Sequence, residues 1–137
     1  MSKVTTAAPQ SVVAARPSFR EKYDHFINGE WVAPEGGEYF ENVSPIDGKV
    51  FTHAARGNAK DVDKAIDAAI AAFPGWSKTA VATRSNLLLK IAQVVEDNLE
   101  YLAIVETIDN GKAIRETRAA DLRLVVDHFR YFAGVIR

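Results

Sequence analysis

The sequence contains no cysteine. Disulfides, thiolate metal sites and a cysteine nucleophile are therefore excluded from these 137 residues, and the absence suits a reducing, cytoplasmic compartment. No apolar run approaches the roughly 20 residues that a membrane helix needs, so no membrane is expected as a partner. The formal net charge is only −1, which gives no electrostatic pull toward nucleic acid or an anionic lipid surface. Neither G-x-G-x-x-G nor G-x-x-x-x-G-K-[ST] occurs, and Gly111-Lys112 lacks the upstream glycine of a phosphate loop. His25, His53 and His128 lie far apart, and none stands at an i, i+4 spacing from another metal ligand. Each reads as a surface or interface histidine. Ser44, Ser77 and Ser85 have no nucleophile-elbow context.

What is present is a composition 47% apolar and 26% charged, which is that of a soluble globular chain long enough to bury one core. Residues 1–20 are rich in Ala, Val, Ser and Thr and carry Lys3, Arg16 and Arg20, with no acid before Glu21. They lack the continuous apolar stretch of a secretory signal. A disordered tail over residues 1–22 is expected, with order beginning near Tyr23.

Phe26-Ile27 and Trp31-Val32 flank Asn28-Gly29, a pair that takes positive φ at both central positions of a type I′ turn and so predicts a tight hairpin. Tyr39 to Val43 and Val50 to Ala55 read as two further strands, joined by Pro45-Ile46-Asp47-Gly48, where proline presets φ and glycine can turn left-handed. The expected front is a small antiparallel unit. At Asn58 the apolar period changes from two to 3.6 residues. Asn58 is a good N-cap, and Asp61 and Asp63 complement the helix dipole. Val62, Ile66, Ile70 and Phe73 form a stripe, and Pro74-Gly75 is expected to end the helix with Trp76 packed beneath. A second helix is predicted from about Thr79, broken at Asn98, where a third begins and runs to Ile108. Asn110-Gly111 is its left-handed C-cap. The last helix opens at Lys112 or Ala113, with Leu122, Val125, Val126, Phe129, Ala133 and Ile136 on one face and Ala120, Leu124 and Tyr131 nearly opposite. Apolar residues on two faces indicate a sandwiched helix or a cavity wall. Its arginines, Arg115, Arg118, Arg123 and Arg130, are interleaved with Glu116, Asp121 and Asp127, a mixture that suits ion pairing rather than phosphate.

The fold class predicted is α+β: an antiparallel hairpin and strands followed by three to four amphipathic helices. The apolar stripe is still running at Arg137, without a glycine, proline or polar cap to close it. It predicts the front part of a larger α/β protein, with the face over 122–136 left partly exposed. The alternative is a non-catalytic interaction module, or a truncated product that associates with full-length partners.

The order and wording of these motifs resemble the N-terminal part of the aldehyde dehydrogenase superfamily. Phe26-Ile27-Asn28-Gly29-Glu30-Trp31 resembles its opening hairpin. Asn42-Val43-Ser44-Pro45 with Asp47-Gly48 resembles its asparagine-proline turn, with Ser44 where asparagine is usual. Arg84 with Leu87-Leu88, and above all Glu106-Thr107-Ile108-Asp109-Asn110-Gly111-Lys112, resemble later motifs. The stretches around Ala113-Ile114-Arg115 and Asp127-His128-Phe129 look most like bacterial acetaldehyde dehydrogenases. The resemblance covers residues 23–137 and implies the incomplete N-terminal part of an NAD(P)-binding domain. It implies an enzyme that oxidises a small aldehyde to a carboxylic acid with NAD or NADP, and one that forms a homo-dimer or homo-tetramer. The nucleophilic cysteine, the general base and the cofactor-binding strands would all lie downstream, so no catalytic or cofactor-binding residue is assigned here. It further implies a monovalent cation held by backbone carbonyls at Asn42 and Val43 and by Asp109, with Ala120 and Leu124 facing the aldehyde tunnel.

Overall fold

The computed structural model describes residues 16–137. Five short strands precede the helices: β1 (Lys22–Tyr23), β2 (His25–Ile27), β3 (Glu30–Val32), β4 (Tyr39–Val43) and β5 (Val50–Ala55). β2 and β3 form the predicted hairpin, with Phe26 opposite Trp31. Asn28 (φ 53°) and Gly29 (φ 83°) supply the two positive angles that the turn requires. β4 and β5 pair antiparallel, and the register slips by one at the Asn42–Val43 step. Gly48 (φ 68°) turns the chain between them.

Residues 1–15 of the expected tail lie outside the described residues, but the remainder of that tail departs from the expectation. Arg16 bonds Asp47 at 3.0 Å, and the Phe19 and Phe51 rings meet edge to face with centroids 5.0 Å apart. β1 pairs parallel with β5, Lys22 opposite His53. The sheet order is therefore β1-β5-β4, and the front of the chain is not wholly antiparallel. A two-residue strand is too short to show a period, and a parallel partner some thirty positions on leaves no local mark.

α1 (Ala59–Trp76) opens with a capping box: the Asn58 side chain accepts from the Lys60 and Asp61 amides, and Asp61 accepts from the Asn58 amide at 2.9 Å. Beyond complementing the dipole, Asp61 is only 4% exposed and also accepts from the Glu35 amide at 2.9 Å. It thus ties the helix start to the preceding loop. Those two N–H groups hold its carboxyl below the ordinary aspartate range. The helix runs through Pro74 to Trp76, because one missing N–H in the final turn removes one bond while the Ser77 amide still reaches Phe73. Trp76 is exposed rather than packed beneath.

α2 (Val81–Asp97) and α3 (Leu99–Asn110) are separated at Asn98, whose side chain donates back to Val94 O at 2.8 Å. Gly111 (φ 78°) ends α3 left-handed, as predicted. After it, α4 (Ile114–Glu116), a π turn over Thr117–Asp121 and α5 (Leu122–Val135) replace the single expected helix. The π turn has a geometric cause. Thr117 and Leu122 both face α3. The Thr117 hydroxyl reaches Ala103 O, and Leu122 lines a cavity with Leu102 and Val105. Residues five apart in an α-helix point about 140° away from each other. One wide turn brings both onto the same side.

α5 lies antiparallel to α2: Ser85 Oγ donates to Ala133 O at 2.7 Å and Arg130 pairs with Glu96 at 2.6 Å. Leu122, Val126 and Ala133 are buried there, each of the two larger side chains contributing about 1.5–3 kcal/mol. The 122–136 face is thus only partly exposed, as expected: its centre is covered by α2, while Val125 stays exposed and Phe129 and Ile136 are half-buried. The open apolar face belongs to α1, where Val62, Ile66, Ile70 and Phe73 are each at least half exposed. Among the described residues no helix is long and apolar enough to cross a membrane.

Two outcomes follow from this packing. A Cβ on Gly111 would stand 2.8 Å from Pro45 Cγ, whereas one on Gly48 would meet nothing within 4 Å. Gly111→Ala should therefore cost about 2–4 kcal/mol, and Gly48→Ala about 1–2 kcal/mol from backbone strain alone. Urea unfolding followed by circular dichroism measures the difference. Because the folded Asp61 carboxyl titrates below its unfolded value, its stabilisation is complete above the ordinary value of about 3.9. It is lost as pH falls through the lower folded value. Protection of the Asn58 and Glu35 amides against hydrogen exchange, relative to the unstructured-chain rate at the same pH, should fall over that acid range in the native sequence, and Asp61→Asn should remove that pH dependence.

Candidate functional site

The β unit meets the helices at the C-terminal end of α3. A helix leaves its last carbonyls without intrahelical donors, and the β4–β5 turn supplies one. Ser44, 1% exposed, donates its hydroxyl to Ile108 O at 2.6 Å. Asn42 Nδ2 donates to Asp109 Oδ1 at 2.7 Å. Within the next turn, Asn110 Oδ1 accepts from the Lys112 amide at 2.8 Å. Pro45 lies against the Gly111 backbone. Beside this junction is a cavity of about 450 Å³, with Asn42, Glu106 and Asp109 on its polar side and Tyr23, Phe51 and Leu122 among its apolar walls.

The structure thus brings Asn42 and Asp109 together across 67 positions of sequence. Val43 follows at the register slip, with its side chain exposed. The Asp109 carboxylate is a hard oxygen ligand of the kind that suits Na⁺, K⁺ or Mg²⁺, and one of its oxygens already accepts from the Asn42 amide. Among the described residues no group of three or more His, Cys, Asp or Glu side chains is placed to hold a metal ion. A cation would therefore depend on Asp109 and backbone carbonyls.

The second candidate surface starts in the π turn. Ala120 is half-buried within it, and Leu124, one turn on, is 51% exposed. Tyr131 continues the same outward side of α5. The turn is pinned by polar contacts. Thr117 is fully buried, and its Oγ1 lies 3.2 Å from both Ala103 O and Ile114 O and 3.0 Å from Thr107 Oγ1. A hydroxyl has one proton. Thr117 shares its own between the two carbonyls, and Thr107 donates to Thr117. Lys112 Nζ meets Asp121 Oδ2 at 2.5 Å, a contact that raises the lysine above its ordinary value. Arg118 pairs with Glu100. Among the interleaved charges, Arg118 and Arg130 pair with α3 and α2, whereas Arg115 and Asp121 pair within the segment.

The three histidines remain apart. His53 Nδ1 lies 3.2 Å from Glu21 O, and His128 is exposed beside Leu88, Val125, Phe129 and Phe132. His25 Nε2 lies 4.0 Å from Asp61 Oδ2. That approach and the Thr107–Thr117 pair were not anticipated from sequence. The N-x-x-D spacing of a capping box was available for Asp61, but nothing local marks the threonines.

Comparison with known proteins matches the same span. Residues 31–137 fit the profile of the aldehyde dehydrogenase family. The chain is 58% identical over 119 residues to a long-chain-aldehyde dehydrogenase of Acinetobacter sp, covering 87% of this chain and 24% of that protein. It is 55% identical over 119 residues to acetaldehyde dehydrogenase 2 of Cupriavidus necator, with the same two coverages. The crystal structure of PnpE in complex with nicotinamide adenine dinucleotide is similar at a TM-score of 0.80 and 40% identity, covering 82% of this chain and 23% of that one. The chain spans about a quarter of the length of the curated relatives it matches. An asparagine-headed turn seated on an Asp-Asn-Gly-Lys helix end, and a family profile that runs through both, lead to one conclusion: this chain belongs to the aldehyde dehydrogenase family.

Proposed function

We propose that this chain is the N-terminal scaffold of an NAD(P)-dependent aldehyde dehydrogenase that oxidises a small aldehyde to its carboxylic acid. The observation that carries the reading is the family match across residues 31–137, read with an apolar outward side of α5 lying behind a buried one. The nicotinamide cofactor supplies the hydride acceptor. Its binding site, the nucleophilic cysteine and the general base are assigned to polypeptide beyond these residues, which contain no cysteine. The 137 residues by themselves carry no catalytic group in this reading. The complete enzyme is a cytoplasmic homo-dimer or homo-tetramer.

Two roles remain for the present residues. The Asp109 carboxylate, with backbone carbonyls at Asn42 and Val43, binds a monovalent cation that braces the turn against α3. The Asn42–Asp109 hydrogen bond of 2.7 Å supports this by drawing the two segments into reach. Ala120 and Leu124 form one wall of the aldehyde path. A small side chain at 120 leaves room there, and relatives of nearly equal identity are named for acetaldehyde and for long-chain aldehydes, so one wall does not fix the chain length accepted.

In the full-length enzyme, Asp109→Asn should abolish stimulation of activity by potassium or sodium, and an unaltered salt response would remove the cation from the reading. Ala120→Trp should raise KM for a bulky aldehyde by about tenfold or more over its effect on acetaldehyde. Steady-state kinetics with both substrates decides this, and equal effects would mean that α5 is only packed.

A further inference from the structure

Of the two residues assigned to the aldehyde path, Ala120 lies within the π turn and Leu124 one turn beyond it, and the shape of that turn is not intrinsic to helical backbone. A π turn is less regular than an α turn and persists where surrounding contacts impose it. Here they are specific. Upstream, Thr117 is held by Thr107 Oγ1 at 3.0 Å and by the carbonyls of Ala103 and Ile114 at 3.2 Å. Both threonines are buried, at 0% and 4% exposure. Downstream, Leu122 and Val126 are fixed in the helix packing. Asp121, the last residue of the turn, is bridged to Lys112. Between these anchors, Ala119 and Ala120 have methyl groups for side chains and no polar tether of their own. Their position is the consequence of where the anchors stand.

We infer that Thr117, with its partner Thr107, is a positioning pair that sets the phase of Ala120 against Leu124 and so governs which aldehydes the path accepts. The inference rests on the reading of Ala120 and Leu124 as a wall of that path. Each residue gained or lost in a helical turn rotates the downstream part of the helix by about 100°. If the Thr117 hydroxyl is removed, the Thr107 hydroxyl loses its buried acceptor, and the Ala103 and Ile114 carbonyls lose a side-chain donor and keep their backbone ones. The force that keeps the turn wide is then weakened. Relaxation toward an α turn moves Ala120 far more than Leu124, because Leu124 lies between the buried Leu122 and Val126. The wall changes shape at its narrow end while the α2–α5 packing is preserved.

The test uses the full-length enzyme with acetaldehyde and benzaldehyde as paired substrates. Thr117→Val keeps the side-chain shape and removes the hydroxyl. It should shift the benzaldehyde-to-acetaldehyde ratio of kcat/KM by about tenfold, with KM for NAD⁺ unchanged. Thr117→Ser, which returns the hydroxyl, should restore the native ratio. A parallel fall in kcat/KM for both substrates, with the ratio intact, is what a merely structural threonine gives and would overturn the inference. If Thr117→Val does not accumulate as folded enzyme, Thr107→Ala removes only the partner hydroxyl and is read by the same ratio. Ala120→Trp assayed alongside separates the two levels. A ratio moved by Ala120→Trp but not by the threonine variants overturns the positioning role alone. A ratio moved by none of them overturns the wall and the positioning role together.

Discussion

The hydrogen bond from Ser44 to the carbonyl of Ile108 is the constraint on which the arrangement of this chain rests. The β unit and the helices otherwise share few contacts, and a helix C-terminus buried without donors would be costly. A single hydroxyl satisfies that carbonyl and also fixes the distance of the turn. Asn42 reaches Asp109 and Pro45 covers Gly111 because Ser44 has already placed the turn. Serine does this work with one short polar group, and the junction closes tightly enough that only glycine fits at position 111.

A second constraint operates along the helices. The spacing of Thr117 and Leu122 conflicts with α-helical geometry if both are to face α3. The chain resolves the conflict with one wide turn rather than by exposing either residue. This places the irregularity beside the residues assigned to the aldehyde path and lets the two halves of the segment pack independently. The upstream half answers to α3 through buried hydroxyls. The downstream half answers to α2 through Ser85, Ala92, Val126 and Ala133, small or compact residues that let two helices approach closely.

Much of this was readable from the residues because it is written in local chemistry. Asn28-Gly29 names its own turn, Asn58 its cap, and Gly111 its left-handed stop. β4 and β5 have the bounds that their composition indicates. What was not readable depends on partners distant in sequence. β1 is two residues long and takes a parallel partner, so no alternation or hairpin announces it. Asp61 looks like any first-turn acid until the Glu35 amide is seen against it. The π turn is invisible to a regular period of 100° per residue, and for the same reason a single final helix was expected. The meeting of Asn42 with Asp109 was reachable only by resemblance to a family, since neither residue carries a local sign of the other. The 122–136 face is partly exposed as expected, but the larger open apolar face lies on α1. The periodicity of α5 and that of α1 look alike, and only the packing of α2 distinguishes them.

The Ser44–Ile108 clasp also has a kinetic meaning. It joins positions 64 apart, so making it closes a long loop and sacrifices chain entropy before any other contact across the gap compensates. The tight hairpins and the individual helices need no such closure. Assembly of the polypeptide therefore proceeds from these nearby pairings toward the clasp.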